Sequence, residues 1–232
     1  MSDRDAAGRR TRRQFLAGAS VAGAVGLAGC GALGGGGNGK ETIVEGDWLD
    51  SLSNEPVDKE SDGTLPTPVI GDPNADVVVM AFEDYACPHC AHYALEIFPD
   101  LASEYIEPGT IRYEHHEFPL PLTNASWRAP SAARAVQHTV GAKAYWTFSH
   151  SLFANQSNLG SSLYGDLAKK VGADPKTIKN AAAKKRFHET IKTDRQRGAK
   201  LGVRGTPTIF VNGTKLKRYD FETIKQAIES ER

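Results

Sequence analysis

Apolar positions along the chain change rhythm from segment to segment. "DVVVMAF" (residues 76–82) is a near-continuous run rich in valine. Such a run reads as a short strand covered on both faces, as the central strands of α/β sheets are. The stretch that follows, "CPHCAHYALEIFPDLASEYI", places Ala94, Leu95, Phe98, Leu101, Ala102 and Tyr105 at helical spacing. The spacing predicts a helix, with Pro88 in its first turn, where a missing N–H costs nothing, and an interruption at Pro99. "EPGT" (107–110) is a turn, and "IRYEHHEFPL" reads as a second strand.

Residues 123–200 hold no convincing strand. "RAPSAARAVQHTVGAKAYWTFSHSLFANQ", "LYGDLAKKVG" and "PKTIKNAAAKKRFHETIKTDRQRGAKLG" all look helical. Asp174-Pro175 reads as a helix start, a capping side chain followed by proline at the first position. Asn212-Gly213, between two short runs, signals a hairpin. "FETIKQAIES" closes the chain as an amphipathic helix, with Ile224, Ala227 and Ile228 on one face and Asp220 as its cap. The order strand, helix, strand, helical block, hairpin, helix places the chain in the α/β class. Trp127, Tyr145, Trp146 and Phe148 are expected to fill the core of the helical block, with a wall of a substrate groove as the alternative.

The N-terminal third is organised differently. Arg12 and Arg13, followed by Gln14-Phe15-Leu16, resemble a twin-arginine export signal. The apolar run from Phe15 to Gly29 has the length of a signal core and falls short of the ~20 residues that span a bilayer. "LAGC" (27–30) resembles a lipobox, in which Cys30 becomes the lipidated first residue. Glycine-rich sequence follows, and such sequence behaves as a flexible tether. Residues 40–66 are polar and lack sustained periodicity, with at most a short packed turn around Trp48-Leu49. The expected division is a signal peptide over 1–29, a lipid-anchored linker over 30–65 and a globular domain over 66–232. No further membrane span is expected, and the domain is placed outside the cytoplasm, on the membrane surface.

Charge changes this picture little. The 232 residues carry 28 basic and 28 acidic side chains. Removing residues 1–29 takes away five Arg and two acidic residues, leaving 23 and 26. Nothing in that balance points to nucleic acid.

Of three cysteines, Cys30 belongs to the anchor, which leaves Cys87 and Cys90. In an exported domain such a pair is a metal clamp, a structural staple or a redox reagent. It directly follows a buried strand and opens a helix, where unpaired N–H groups and the positive end of the helix dipole stabilise a thiolate. Cysteine in such motifs titrates as low as roughly 3.5–7, against ~8.5 for free cysteine. Cys87, nearer the helix start, is the expected nucleophile, and Cys90 the buried resolving thiol. Pro88 and His89 lie between them, and His89 is placed to tune the thiolate by hydrogen bond or charge. Zinc is the rival, with His89, His92, His115 and His116 nearby. No second Cys-X-X-Cys and no His-X3–5-His accompanies them, and adjacent residues on a strand point to opposite faces. Haem attachment requires histidine after the second cysteine, where Ala91 stands. The far half of the site is expected at Thr206-Pro207, which starts a strand after a glycine turn.

"FEDYACPHC", "YWTFSHSLFANQ", "DRQRGAKLGVRGTPTIFVNG" and the terminal helix together resemble the DsbA-like thioredoxin-fold family of thiol–disulfide oxidoreductases, over about residues 66–232. The resemblance implies a thioredoxin fold with an inserted helical domain, here about 120–198. It implies a Cys87–Cys90 redox disulfide, a mixed disulfide on Cys87 that Cys90 resolves, and a cis Thr206–Pro207 bond offering Thr206 backbone to an extended substrate. The Pro-His dipeptide resembles that of strongly oxidising members. Glu83 and Asp84 are candidates to accept the Cys90 proton; neither is matched to a family acid, and a surface or strand-end capping role is the alternative. The resulting expectation is an oxidase of exported proteins with reduced cysteines, monomeric, needing no cofactor or metal and reoxidised by a separate redox partner. An isomerase or reductase of the same fold, and a non-catalytic binding or chaperone module, are the alternatives.

Overall fold

The structure is a computed structural model that describes residues 41–232. The signal expected over 1–29, with Arg12 and Arg13, and Cys30, the expected lipidation position, lie outside the described residues.

Five strands form one sheet in the order β1-β3-β2-β4-β5. The valine-rich run becomes β2 (Val77–Glu83), buried at every position except Val78. It lies between β3 (Ile111–Glu117), to which it is parallel, and β4 (Thr208–Val211), to which it is antiparallel. A strand with neighbours on both edges and cover on both faces needs apolar side chains throughout, as its sequence shows. Two elements are too short to carry a period of their own. These are β1 (Val69–Gly71), antiparallel to β3, and β5 (Thr214–Lys215), which closes the hairpin on β4. The Asn212-Gly213 turn has φ of 43° and 79°, the left-handed pair a two-residue hairpin of this kind requires.

The parallel connection from β2 to β3 runs through residues 88–106. It comprises α1 (Pro88–His92), a π-helical turn (Tyr93–Ile97), α2 (Phe98–Leu101) and a second π turn (Ala102–Ile106). The interruption expected at Pro99 takes the form of these π turns, while the chain keeps its helical course. The helical block between β3 and β4 is α3 (Ala125–Thr139), α4 (Ala142–Ala154), α5 (Ser161–Lys170), α6 (Pro175–Lys184) and α7 (His188–Lys200). Asp174 caps α6 by accepting from the Thr177 N–H at 2.8 Å. Asp220 caps α8 (Phe221–Ser230) in the same way at 3.1 Å.

Two apolar clusters sandwich the sheet. The larger joins Val79, Ala81, Phe98, Leu101, Ile111 and Tyr113 to the helical block. Tyr145, Trp146 and Phe148 are at most 1% exposed and belong to this core, so they form no groove wall. Trp127 is only partly buried and stacks on His188. On the other face Phe82, Phe118, Val203 and Phe210 pack together. There α7 approaches through Gly198, where a Cβ would stand 2.8 Å from Phe118 and 2.9 Å from Phe82.

Residues 41–65 depart from the flexible linker expected over 30–65. They run as a strap across the helical block. Asn155 pairs with both backbone groups of Thr42, at 3.0 and 2.7 Å, and the Val44 N–H reaches Ser151 Oγ at 3.0 Å. Trp48 and Leu49, in a 3₁₀ turn, are buried, and the indole packs against Phe98, Trp146 and His150. The strap passes so close to Gly141 that a Cβ there would lie 2.5 Å from the Glu55 nitrogen. Its apolar residues occur singly because each docks on a surface built by other elements, which needs no periodicity.

Candidate active site

Cys87 ends the loop after β2 and caps α1, with extended backbone (φ −86°, ψ 120°) and Pro88 next in line. Pairing of Phe82 with Thr208 sets the start of β4 against the end of β2. This brings the loop before β4 to the cysteine. The Thr206–Pro207 peptide is cis, and the Thr206 carbonyl oxygen accepts from Cys87 Sγ at 3.3 Å. The structure thus brings Cys87, Cys90 and Thr206-Pro207 together, as expected.

The two thiols are free and differ sharply. Cys87 titrates at about 5, far below an ordinary thiol. A hydrogen bond from the Cys90 thiol is the main cause. The Thr206 side chain and the backbone N–H groups of Cys90 and His89 add to it, and partial burial opposes it. Cys90 is fully buried and is pushed well up, by burial first and then by the neighbouring Cys87 and Glu83. The Asp84 N–H points at its sulfur, 3.4 Å away.

Pro88 and His89 are exposed. The backbone of His89 faces the thiolate, while its ring reaches the other way. His89 Nδ1 hydrogen-bonds the Tyr219 hydroxyl at 3.2 Å, and Tyr219 also packs edge-on against His92 and Tyr93. Tyr219 precedes α8, and nothing in the sequence around it marks it as a neighbour of the motif.

The two acids before the motif are in different situations. Asp84 Oδ1 accepts from the Ala86 N–H and Oδ2 from the Leu120 N–H, both at 2.8 Å. Both oxygens are thus engaged in holding loops. Glu83 is 3% exposed; one of its oxygens lies 3.3 Å from His115 Nδ1, and the other, Oε2, has no hydrogen-bond partner. Burial pushes both carboxyls up.

His116 points to the other face of β3, away from His115. Asp194 Oδ1 lies 3.0 Å from its Nδ1 and Glu114 Oε2 3.1 Å from its Nε2. Burial disfavours its charge, but the two carboxylates outweigh that and raise its pKa. Asp194 also meets Arg134, a fully buried residue that makes a two-pronged pair with Glu117 (2.9 and 2.6 Å) and donates to Pro66 O and Gln137 Oε1. This knot ties β3 to α3, α7 and the end of the strap. Apart from His116, weighed as a zinc ligand, none of these residues stands out in the sequence, because charged groups scattered over three elements leave no local signal.

Two N–H bonds also come from the turn after α4, where Gln156 Nε2 reaches Tyr85 O at 2.8 Å and Cys87 O at 2.9 Å.

Comparison with known proteins agrees with this geometry. The sequence matches the family described as Thioredoxin over residues 64–230. It is 29% identical over 171 residues to disulfide bond formation protein D of Bacillus subtilis, covering 71% of this chain and 76% of that one. The crystal structure of oxidised BdbD from Bacillus subtilis superposes with a TM-score of 0.67 at 29% identity, covering 78% of this chain and 97% of that chain. Chlamydia trachomatis DsbA shares the fold, with a TM-score of 0.63 at 24% identity over 70% of this chain and 90% of that chain. The parallel β2–β3 pair, the helical block between β3 and β4, the cysteine pair at a helix start and the family match lead to one conclusion: the chain belongs to the thioredoxin family and is DsbA-like in build.

Proposed function

We propose that this protein is a membrane-tethered, extracytoplasmic disulfide oxidase that introduces disulfides into exported proteins. It is an enzyme, a protein thiol–disulfide oxidoreductase. The observation that carries the oxidase direction is the asymmetry of the pair: a Cys87 thiol titrating at about 5 beside a Cys90 thiol pushed far up. A stabilised Cys87 thiolate stabilises the reduced enzyme, which makes its disulfide a stronger oxidant.

The steps follow from that asymmetry. A substrate thiolate attacks Cys87 Sγ of the Cys87–Cys90 disulfide. The S–S bond breaks, Cys90 leaves as a thiolate and takes a proton, and a mixed disulfide joins substrate to Cys87. The second substrate thiolate attacks the substrate sulfur of that bond. Cys87 leaves as a thiolate, and its low proton affinity makes it a good leaving group. Two electrons have passed from the substrate dithiol to the enzyme disulfide, which is now a dithiol, and a separate redox partner must remove them. An extended substrate pairs with the backbone at Thr206, whose carbonyl already faces the sulfur. Glu83 supplies and reclaims the Cys90 proton through Oε2; Asp84, with both oxygens engaged, holds the loop.

Tethering rests on the sequence of the N-terminal segment: Arg12-Arg13 for export and Cys30 for a lipid anchor. Among the described residues no helix is long and apolar enough to cross a membrane.

The deciding experiment is the Cys87–Cys90 reduction potential measured against glutathione. A value far above that of structural disulfides, which lie below about −300 mV, supports the oxidase. A value in that structural range overturns it. Fractionating cells that carry Cys30→Ala tests the anchor: the variant is expected in the soluble fraction with its redox activity intact.

A further inference from the structure

We propose that Gln156 is a positioning residue for Cys87, fixing from the helical block the backbone that aims the thiolate. The proposal rests on the thiol–disulfide reading above and adds a residue to it.

Gln156 opens a 3₁₀ turn (Gln156–Asn158) just after α4. Its side-chain amide bridges two carbonyls of the loop that delivers the cysteine, Tyr85 O and Cys87 O. Carbonyls only accept, so both bonds must come from the amide nitrogen and the orientation of the group is settled. The Cys87 carbonyl is also the one that receives the first helical bonds, from Cys90 N at 3.0 Å and Ala91 N at 3.2 Å. The amide of Gln156 thus holds the peptide plane on which the first turn of α1 is built. The N–H groups of His89 and Cys90, which lower the Cys87 pKa, belong to that turn. If the plane tips, these donors no longer converge on the sulfur.

The preceding helix grips Tyr85 a second time, since Ser149 Oγ of α4 lies 2.8 Å from its hydroxyl. The two ties are separable. The Ser149 bond holds a ring in the core, whereas the Gln156 bonds hold the main chain at the reacting residue. Gln156 lines an open cleft of about 450 Å³ together with Ala86, Thr123, Asn124, Ser157 and Leu159. Changing it therefore opens no hole in the core.

Gln156→Leu keeps the side-chain bulk and removes both donors. Gln156→Glu keeps the shape and, once ionised, sets a carboxylate against two carbonyl oxygens. Ser149→Ala removes the other tie and serves as the control. The full chain is assayed for the pH dependence of Cys87 thiolate absorbance and for its equilibrium with glutathione. Thermal unfolding is recorded alongside.

Both Gln156 variants are expected to raise the Cys87 titration by about one pH unit. The equilibrium constant for their reduction by glutathione falls about tenfold, which is ~30 mV for a two-electron couple. Ser149→Ala is expected to lower the melting temperature and leave the thiolate where it was. An unchanged thiolate and potential in folded Gln156→Leu or Gln156→Glu overturns the proposal. So does an equal shift in Ser149→Ala, which would make the effect one of general packing. If the wild-type protein shows no acid-shifted thiolate and no exchange with glutathione, the functional reading fails before the variants are compared.

Discussion

The sulfur of Cys87 and the carbonyl oxygen of Thr206 are 3.3 Å apart, though 119 residues separate them in the chain. The contact is made by the sheet. Because Phe82 pairs with Thr208, the loop before β4 arrives beside the loop after β2. Between the two strands the chain runs through α1, α2, β3 and then the five helices α3 to α7, and returns. The reacting sulfur is thereby flanked by an open main-chain carbonyl on one side and the start of a helix on the other. In the proposed reaction, an extended chain that carries a cysteine would meet both at once.

Alkylation of the reduced protein should report a single titration near pH 5, from Cys87, and none from Cys90 around neutrality. The same shift is a stability statement. The folded-state pKa lies below that of an unfolded thiol, ~8.5, so the stabilisation is complete above that value and disappears as pH falls through about 5. Reduced wild-type protein should therefore gain stability over this window relative to Cys87→Ala, as read by urea midpoints. A flat difference between the two would show that the thiolate is not stabilised by the fold.

Glu83→Gln should separate the two halves of exchange. Reduced enzyme mixed with oxidised glutathione first forms a mixed disulfide on Cys87, a step that needs no proton from Cys90. Ring closure by Cys90 then requires a base, and Glu83 Oε2 has no competing partner. The mixed disulfide should persist longer by on the order of 100-fold, with its formation rate unchanged. Rapid quenching and mass spectrometry would follow both species. An unaltered closure rate would remove Glu83 from the mechanism.

Replacing His89 by leucine leaves its backbone N–H in place and removes a ring that ties to Tyr219. Because that ring faces Tyr219 and not the sulfur, the Cys87–Cys90 potential should stay within about 10 mV of wild type, well under the ~30 mV of a tenfold change in equilibrium. The fold should be intact by circular dichroism. A potential that falls by tens of millivolts would show that the ring, and not the main chain alone, tunes the thiolate.

The buried knot around Arg134 should dominate stability and its response to pH. Arg134→Ala leaves Glu117 and Asp194 buried without their cation and is expected to cost about 3–5 kcal/mol, measured by denaturant unfolding. His116 has a raised folded pKa, so its contribution is complete below the unfolded value of ~6.5 and is lost as pH rises through the folded one. Asp194 is held low by Arg134 and His116 against its burial, so its contribution disappears only in strong acid. His116→Asn should reduce the alkaline loss, to which Glu117, its carboxyl pushed up by burial, also contributes, and leave the acid loss.

What the sequence revealed depended on how far each signal reached along the chain. Val77–Phe82 announces a covered strand because every position answers to the same environment. Cys87, Pro88 and Cys90 declare a helix start within four residues. Asp174, Asp220 and Asn212-Gly213 act on their own backbone and were readable for that reason. Gln156, Tyr219, His115 and Arg134 were not, since each acts on a partner brought close only by the sheet register or by helix packing. Trp48 and Leu49 were visible as a packed turn, but nothing local says that the residues on either side are held down as well.

That strap has a practical corollary for how much chain makes a self-sufficient protein. The family match begins at residue 64, well after Trp48 and Leu49. A polypeptide cut to the matching region would uncover the slot between Phe98, Trp146 and His150. It would also strip the amide of Asn155 of its partner at Thr42. Such a fragment would present a fresh oily surface to its neighbours and should clump where the longer chain stays dispersed. The smallest unit that behaves as a protein therefore includes the strap and extends beyond the region that the family model matches.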